Sequence, residues 1–313
     1  MRESLAGPRF GSMAEREKIA VTGASGLVGN ALVPALRANG FDVLRLVRRN
    51  ASSSDEVRWD PDAGTIDADA LRGICGAIHL AGDNIAEGRW TEAKKARIRN
   101  SRVRGTTLIA DTLAKLTPKP RILISASAIG YYGNRGDEIL DEHAAAGSGF
   151  LAEVCREWED ATRAAEEAGI RVVNARIGIV LASEGGALAK LKTPFALGVG
   201  GRIGDGRQYM SWIALEDLVS AFLFALQRND LSGPVNFVSP DPVTNAYFTK
   251  TLARTLKRPA VIPLPKFAVR LGFGSELADE MLIGGARVVP AALHASEFMW
   301  GYTTLEEALE SLL

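Results

Sequence analysis

The chain has little cysteine, little histidine and no net charge. Its two cysteines, Cys75 and Cys155, are too few for a disulfide framework and fit a reducing compartment, so we expect a cytoplasmic protein. The three histidines show no Cys/His clustering, which argues against a structural metal site. Lys and Arg together number 37, as do Asp and Glu. A neutral chain has no overall field for nucleic acid or an anionic membrane, and we expect neither as a partner.

Long apolar runs are also missing. No stretch approaches the length of a membrane span, and the opening residues MRESLAGPRFGSM lack the apolar core of a signal peptide. We interpret residues 1–16 as a disordered leader. The 313 residues are 47% hydrophobic and 24% charged. That is enough for one large domain, or for a large domain with a smaller appendage.

Short apolar strands alternate with helical patterns along most of the chain. Strands are predicted over residues 18–23, 41–49, 76–82, 121–127, 171–181 and 234–240, and helices over 27–40, 91–116, 150–169 and 212–226. Such alternation predicts an α/β fold with a doubly wound parallel sheet. Later helical and proline-rich segments predict a small, mainly helical C-terminal lobe. We expect domains at residues 17–240 and 241–313, with segment 183–212 contributing to a substrate cleft.

The turn TGASGLVG places three glycines between the first strand and the first helix, which is the context of a dinucleotide-binding turn. The first glycine allows the turn, the second lets a pyrophosphate approach the backbone, and the third lets helix and strand pack closely. Free N–H groups at the helix N-terminus then face the phosphates. The alternative is a glycine-rich turn without a ligand. The predicted cofactor contacts here are Gly23, Ser25, Gly26, Leu27, Val28 and Gly29.

The end of the second strand indicates which dinucleotide is bound. An acidic residue there would bind the ribose hydroxyls, but the strand ends in Arg48 and Arg49, and the acid Asp42 lies at its start. Arginine favours a 2′-phosphate, so we predict NADP rather than NAD. The alternative is a solvated basic pair at a strand end.

Several motifs in consistent order resemble one family. TGASGLVG, HLAG (79–82) and SASAIGYYG (125–133) resemble the extended short-chain dehydrogenase/reductase pattern. RWTEAKKARIRNSR, FLAEVCREWE, GRQYMSWIALEDL and GPVNFVSPDPVTNAYF are similar to its atypical branch, the epimerase family with a C-terminal domain of unknown function. The resemblance covers the chain from about residue 18 onward. It implies a Rossmann-type core, a bound dinucleotide and a C-terminal substrate lobe.

The resemblance also implies an altered catalytic set. Members of the superfamily use Ser/Thr, Tyr-x-x-x-Lys and an upstream Asn. Here Leu151 stands at the Tyr position, Cys155 at the Lys position and Arg102 at the Asn position, and only Ser127 keeps its usual type. In the atypical branch this Cys and this Arg are the expected pattern. Glu297 stands where relatives tend to have glycine.

Five residues are candidates for the chemistry. Ser127 follows a strand at its carboxyl end, where such folds place ligands, although a turn-capping hydroxyl is the alternative. A tyrosine hydroxyl in the next loop could serve as an acid, and the alternative is a ring that merely packs; the sequence does not decide which of the two tyrosines lies near the substrate. The Cys155 thiol is either poised near the nicotinamide or a buried, unreactive group. Arg102 could hold an anionic group, or belong to a solvated basic helix face. The candidates are Ser127, Tyr131, Tyr132, Arg102 and Cys155.

Two further sets complete the predicted site. The additional cofactor contacts are Arg48, Arg49, His79, Leu80, Ala81, Gly82 and Arg102, together with Arg176 and Gly178, which the resemblance places near the nicotinamide. His79 could instead be a structural hydrogen-bonding residue. The glycine-rich loop after residue 200 offers Arg202, Arg207 and Gln208 as substrate contacts, with a plain surface loop as the alternative.

These observations predict an NADP-dependent oxidoreductase or epimerase/dehydratase-like enzyme, a monomer or homodimer, acting on a small-molecule substrate related to sugar nucleotides. Because the Tyr and Lys are missing, a non-catalytic NADP-binding redox sensor or partner-binding protein is the alternative. The basic run KKARIRNSRVR lacks interleaved aromatics and therefore does not favour nucleic acid.

Overall fold

Strands and helices alternate through the residues that a computed structural model of the protein describes, which are 16–260 and 262–313. The predicted leader, apart from Arg16, lies outside them. The strands are β1 Lys18–Thr22, β2 Asp42–Val47, β3 Glu56–Asp60, β4 Thr65–Ile66, β5 Ile74–His79, β6 Ile122–Ala128, β7 Ile139–Leu140, β8 Arg171–Ile177, β9 Ile179–Leu181, β10 Tyr209–Met210, β11 Trp212–Ala214, β12 Gly233–Phe237, β13 Val243–Thr244 and β14 Arg287–Val288.

The helices follow the predicted pattern, with short additional turns in the second half. They are α1 Leu27–Ala38, α2 Glu92–Lys115, α3 Phe150–Asp160, α4 Arg163–Glu167, α5 Gly186–Ala196, α6 Leu215–Gln227, α7 Asn245–Thr255, α8 Lys266–Phe273, α9 Ser275–Ala278, α10 Ala291–Ala295 and α11 Leu305–Leu312.

Eight strands form the main sheet in the order β12-β8-β6-β5-β1-β2-β3-β4. All neighbouring pairs are parallel except β3 with β4. From β1 the chain first adds strands toward one edge and then crosses to β5 on the other side. This reversal opens a crevice at the carboxyl ends of β1 and β5, where doubly wound sheets bind ligands. The predicted Rossmann-type fold is confirmed.

Each face of the sheet is covered by its own apolar layer. Leu32 and Leu36 of α1 pack with Phe222 of α6 on one face. On the other face, Ile109 and Leu113 of α2 pack among side chains of the strands. Because both faces are buried, the central strands are apolar throughout rather than alternating.

Several element boundaries differ from the prediction, including the helix predicted over residues 150–169, which is divided into α3 and α4. Two of the differences have a clear structural cause. The strand predicted over residues 171–181 is interrupted at Gly178, where a Cβ would lie 2.7 Å from the carbonyl oxygen of Ser211. β8 therefore stays in the main sheet, while β9 pairs with β11. The helix predicted from residue 212 begins only at Leu215, since residues 212–214 form β11.

The C-terminal elements are tied to the sheet domain by long-range hydrogen bonds. Buried Asp217, at the start of α6, accepts hydrogen bonds from the backbone N–H groups of Gly301 and Tyr302 at 2.6 and 3.1 Å. Burial raises the pKa of this carboxyl. Glu297 ends the turn after α10 with a positive φ of 62°, the conformation in which glycine is least strained. The expected division near residue 240 remains a prediction.

Candidate functional site

The crevice begins where β1 and β5 end. The hydroxyl of Thr22, the last residue of β1, accepts hydrogen bonds from the backbone N–H groups of Leu80 and Ala81 at 3.0 and 3.2 Å. The same hydroxyl lies 2.7 Å from Nδ1 of His79. Because the two N–H donors occupy its lone pairs, the hydroxyl donates its proton to His79. Thr22 thereby holds the predicted HLAG segment against the glycine turn.

His79 is a structural residue of this junction. Its side chain is fully buried, and burial lowers its pKa to about 4. With Nδ1 accepting from Thr22, the proton of the neutral ring is on Nε2, which has no hydrogen-bond partner among the described residues. The ring meets the indole of Trp59 edge-on, with 5.9 Å between ring centroids. A neutral, enclosed imidazole fits the predicted structural role rather than acid–base chemistry.

The three glycines of the turn serve different purposes. A Cβ on Gly23 would lie 2.8 Å from the backbone of Leu80, and Gly23 has a φ of 65°. A Cβ on Gly29 would lie 2.3 Å from the carbonyl oxygen of Gly23. Both glycines are therefore required by the fold itself. A Cβ on Gly26 would meet only that same carbonyl oxygen, at 3.3 Å, and Gly26 is exposed. The protein leaves open the space in front of Gly26.

The first turn of α1 has the features of an anion site. Gly26 is its N-cap, no side chain caps it, and no acidic residue lies in its first turn. By contrast, α2 has Thr91 as its cap and Glu92 in its first turn. Uncapped N–H groups and the positive end of the helix dipole together favour a phosphate at this position. The residues present thus fit the pyrophosphate of a dinucleotide.

The two arginines after β2 differ in how they are engaged. Arg49 donates to both carboxylate oxygens of buried Glu56, and this hydrogen bond lowers the pKa of Glu56 to about 2. Arg48 is exposed and forms no ion pair or hydrogen bond within the described part of the chain. Because β1 and β2 are parallel neighbours, Arg48 lies at the same edge as the glycine turn. Of the predicted pair, only Arg48 is available for a ligand.

Arg102 lies on α2 beside the segment that follows β5. Its Nη1 donates to the carbonyl oxygens of Asp83 and Ile98, both at 3.1 Å. A Cβ on Gly82 would lie 3.3 Å from its guanidinium carbon, which itself lies 5.0 Å from the ring centroid of Trp158. Burial lowers the pKa of Arg102. Arg102 thus places a guanidinium at the end of β5, in agreement with a role at the crevice.

Ser127 belongs to a buried polar network. Its hydroxyl donates to Glu159 at 2.6 Å, and Glu159 forms an ion pair with Arg176, with two contacts of 2.8 Å. Burial opposes the charge of Arg176, but the hydrogen bonds and the charge of Glu159 outweigh it and raise the pKa of Arg176. Ser127 is only 2% exposed. Since its one proton is donated to Glu159, its oxygen can act only as an acceptor toward any further group.

The two tyrosines of the loop after β6 have different environments. The hydroxyl of Tyr132 donates to Asn236 at 2.7 Å and accepts from Arg176 at 3.0 Å. Tyr132 is fully buried, and burial raises its pKa to about 12. Tyr131 is only partly buried, and its ring lies 3.4 Å from the guanidinium carbon of Arg176. Tyr132 is therefore a core residue, and Tyr131 is the tyrosine whose hydroxyl remains available.

Cys155 and Leu151 line one face of α3, as the i, i+4 spacing predicts. Both lie against Gly130, whose Cβ position would be 3.3 Å from Leu151 Cβ and 3.7 Å from Cys155 Sγ. Cys155 is 4% exposed, and burial raises the pKa of its thiol to about 12. A protonated, enclosed thiol has little nucleophilic character. The structure supports the unreactive alternative for Cys155.

The predicted substrate loop is held in place by hydrogen bonds to Asn245 and Leu282. Asn245 accepts a hydrogen bond from the N–H of Ile203 at 2.8 Å and donates its own N–H to the carbonyl oxygen of Gln208. The Gln208 amide donates to the carbonyl oxygen of Leu282 at 3.0 Å. Arg202 and Arg207 are exposed. The amide of Gln208 is thus engaged internally, whereas the two arginines point to solvent.

Sequence reasoning missed several residues of this region. Glu159 continues the i, i+4 spacing from Cys155, a signal that could have found it. Glu280 gave no signal, although its carboxylate accepts hydrogen bonds from the N–H groups of Phe150 and Leu151 at 2.7 and 2.8 Å. It caps α3 from 130 residues away in the sequence. No cluster of three or more metal-ligating side chains occurs among residues 16–260 and 262–313.

The comparison with known proteins agrees with this geometry. A family model described as the NAD dependent epimerase/dehydratase family matches residues 19–237, and one described as a domain of unknown function (DUF1731) matches residues 264–312. The chain belongs to the NAD dependent epimerase/dehydratase family. The pairing with the second model confirms the predicted atypical short-chain dehydrogenase/reductase branch. The family binds NAD(P).

Relatives in this epimerase family align over nearly the whole chain. An epimerase family protein of Mycobacterium tuberculosis is 47% identical, covering 93% of this chain and 96% of the relative. The crystal structure of the human epimerase family protein SDR39U1 (isoform 2), which contains NADPH, has a TM-score of 0.86 and 31% identity, covering 94% of this chain and 98% of that one. A nucleoside-diphosphate sugar epimerase from Corynebacterium glutamicum has a TM-score of 0.78 and 38% identity, covering 94% of this chain and 57% of that one.

Proposed function

We propose that this epimerase family member is an NADP-dependent oxidoreductase or epimerase/dehydratase-like enzyme acting on a small molecule of the sugar-nucleotide type. The observation that carries the proposal is the uncapped glycine turn, open in front of Gly26, with the unpaired Arg48 at the same edge of the sheet. The NADPH in the human relative and the sugar-nucleotide name of the Corynebacterium relative support the cofactor and the substrate class.

The proposed division of labour follows from which groups are available. The N-terminal turn of α1 would hold the pyrophosphate, and Arg48 would hold the 2′-phosphate through a charge-assisted contact. The bound dinucleotide would supply or accept a hydride. The chain itself supplies orientation through the Thr22 junction between β1 and β5.

Proton transfer would then depend on Tyr131 rather than on the usual helix residue. Leu151 has no exchangeable proton, and the thiol of Cys155 is enclosed with a pKa raised to about 12. Tyr131 retains a hydroxyl with no hydrogen bond to any described residue. Arg102, at the end of β5, would stabilise negative charge developing on the substrate.

The cofactor part is tested by titrating NADPH and NADH into the wild type, Arg48→Ala and the matched control Arg49→Ala. A charge-assisted contact contributes about 1.5–3 kcal/mol, or about ten- to a hundredfold in affinity. We therefore expect the wild type to bind NADPH more tightly than NADH by this factor, and Arg48→Ala to bind the two with similar affinity. Arg49→Ala should retain the preference for NADPH, because Arg49 is bound to Glu56. Equal wild-type affinity for both dinucleotides would refute the assignment.

A second candidate function is a non-catalytic NADP-binding sensor or partner-binding protein. It is favoured by the engagement of Ser127 with Glu159, which removes the remaining superfamily catalytic residue from the list of proton donors. The two functions separate in a screen of sugar nucleotides with NADPH or NADP: an enzyme oxidises or reduces the cofactor, or isomerises the sugar. Tight NADPH binding without any turnover across this class would favour the sensor.

Because both cysteines are free thiols, we propose the cytoplasm as the compartment of the protein.

A further inference from the structure

Exposed large apolar side chains are concentrated on one part of the C-terminal half. Eleven occur among the described residues, and seven of them fall within residues 197–199 and 262–273. Helix α8 has one fully buried side chain, that of Val269, while Phe267 and Leu271 are 71% and 73% exposed. The other exposed residues of the group are Leu197, Val199, Ile262, Leu264 and Phe273.

These two segments form one continuous surface, here called the lobe surface and comprising residues 196–204 and 258–273 without Val261. The N–H of Leu264 donates to the carbonyl oxygen of Arg202 at 2.7 Å, and its carbonyl oxygen accepts from Gly204 at 2.9 Å. Arg258 donates to the carbonyl oxygen of Ala196 at 3.2 Å. The two segments that carry the exposed apolar side chains are therefore joined to each other by hydrogen bonds.

Positive charge predominates on and around the lobe surface. Residues 185–204 and 242–275 contain nine Lys or Arg and no Asp or Glu, and the residues that bound these ranges are the acids Glu184, Asp205, Asp241 and Glu276. Among these nine, Arg254 forms an ion pair with Glu306 and Arg270 with Asp279. Asp205 lies close to Lys266 at the margin. Against the six acids Glu184, Asp205, Asp241, Glu276, Asp279 and Glu306, the nine cations leave an excess of three positive charges in and beside the two segments.

The exposure and charge of this surface favour a lipid partner. The side chains of Ile262, Phe267 and Leu271 are exposed by 64–73%, whereas small-molecule sites enclose most of the surface of their ligand. A symmetric contact with a second copy would bring the surface against itself and set like charges against each other. An anionic bilayer surface complements both features, since its headgroups attract Lys and Arg and its interior accepts Phe and Leu.

We propose that the lobe surface docks on an anionic lipid bilayer, with α8 lying in the interface and Phe267 and Leu271 inserted. This is peripheral attachment: no helix among the described residues is long and apolar enough to cross a membrane. The neutral net charge predicted no membrane partner. Local separation of charge, rather than its sum, determines the field that a nearby surface meets. The proposal does not depend on the proposed enzymatic function.

The test is sedimentation of the full-length protein with vesicles of phosphatidylglycerol and phosphatidylcholine, compared with phosphatidylcholine alone. We expect binding to the anionic vesicles at low salt and its loss at high salt. Phe267→Ser and Leu271→Ser should each weaken vesicle partitioning by about tenfold, because each removes an inserted apolar side chain. Met299→Ser is the matched control, since Met299 is 84% exposed and lies outside the lobe surface.

The possible outcomes are distinct. Anionic-lipid binding that falls with Phe267→Ser but not with Met299→Ser supports the proposal. A wild type that stays in the supernatant with anionic vesicles at low salt overturns the proposal. Equal binding of Phe267→Ser and Met299→Ser to these vesicles also overturns it. A concentration-dependent dimer that Phe267→Ser dissociates would overturn it in favour of a second copy. Circular dichroism checks folding, and Leu197→Ser, at a 73% exposed site, replaces any variant that fails to fold.

Discussion

A substitution of Gly26 should weaken cofactor binding while leaving the stability of the fold nearly unchanged. A methyl group at this position would lie 3.3 Å from the carbonyl oxygen of Gly23 and near nothing else within 4 Å. Gly26→Ala should therefore change the free energy of unfolding by less than about 1 kcal/mol. The same methyl would occupy the space in which a pyrophosphate approaches the backbone.

The loss of affinity can be estimated from the contacts at stake. Each hydrogen bond between a backbone N–H and a charged phosphate contributes about 1.5–3 kcal/mol. Displacing the pyrophosphate by the width of a methyl group would disrupt at least one of them, which corresponds to about ten- to a hundredfold weaker NADPH binding. Gly26→Val, with its branched side chain, should abolish binding within the range of a titration.

Gly29→Ala is the informative comparison. Its methyl would lie 2.3 Å from the same carbonyl oxygen and 2.6 Å from Ala24 Cα, so backbone must move and stability should fall by about 1–3 kcal/mol. The assays are calorimetric titration with NADPH and urea unfolding of each variant. A folded Gly26→Val protein that binds NADPH normally would show that the dinucleotide does not lie on this turn.

Three further predictions follow from buried groups. Burial raises the pKa of Cys155 from 9.0 to about 12. Alkylation of Cys155 at pH 8, followed by peptide mass spectrometry, should therefore be about a thousandfold slower in the native protein than after unfolding. Similar rates in the two states would show an accessible thiolate. Burial lowers the pKa of His79 from 6.5 to about 4 in the folded protein. Between pH 6.5 and pH 4, His79 therefore binds a proton in the unfolded state but not in the folded state. The contribution of His79 to the free energy of unfolding should therefore be fully present above pH 6.5 and be lost as the pH falls toward 4. Urea unfolding should show a loss in the wild type that exceeds the loss in His79→Gln by up to about 3 kcal/mol. The same pH dependence in both proteins would contradict this. Tyr132→Phe should lower the free energy of unfolding by about 1–3 kcal/mol, since it leaves buried Asn236 without its donor, whereas Tyr131→Phe should stay within about 0.5 kcal/mol; equal losses would place both hydroxyls in the core.

The proposed roles depend on which of two neighbouring residues is available, and sequence alone left these choices open. Arg48 and Arg49 are adjacent and chemically identical, but only Arg49 reaches Glu56, seven residues later on the adjacent strand β3. Tyr131 and Tyr132 differ because Tyr132 alone reaches Asn236, which is 104 residues away. Neighbours in a chain point in different directions. Their partners therefore depend on how distant strands are placed.

The sequence by itself determined the parallel sheet, the glycine turn between β1 and α1, and the family, because each depends on local features. Apolar strands and helical spacing are set within ten to twenty residues, and the glycine spacing acts within one turn. The interruption at Gly178 and the late start of α6 escaped it, since both arise where β9 and β11 meet. Only the tertiary structure decided that Ser127 donates to Glu159, that Glu280 caps α3, and that two separate segments carrying seven exposed apolar side chains are hydrogen-bonded to each other. These are contacts between residues far apart in the chain, where geometry rather than pattern selects the partner.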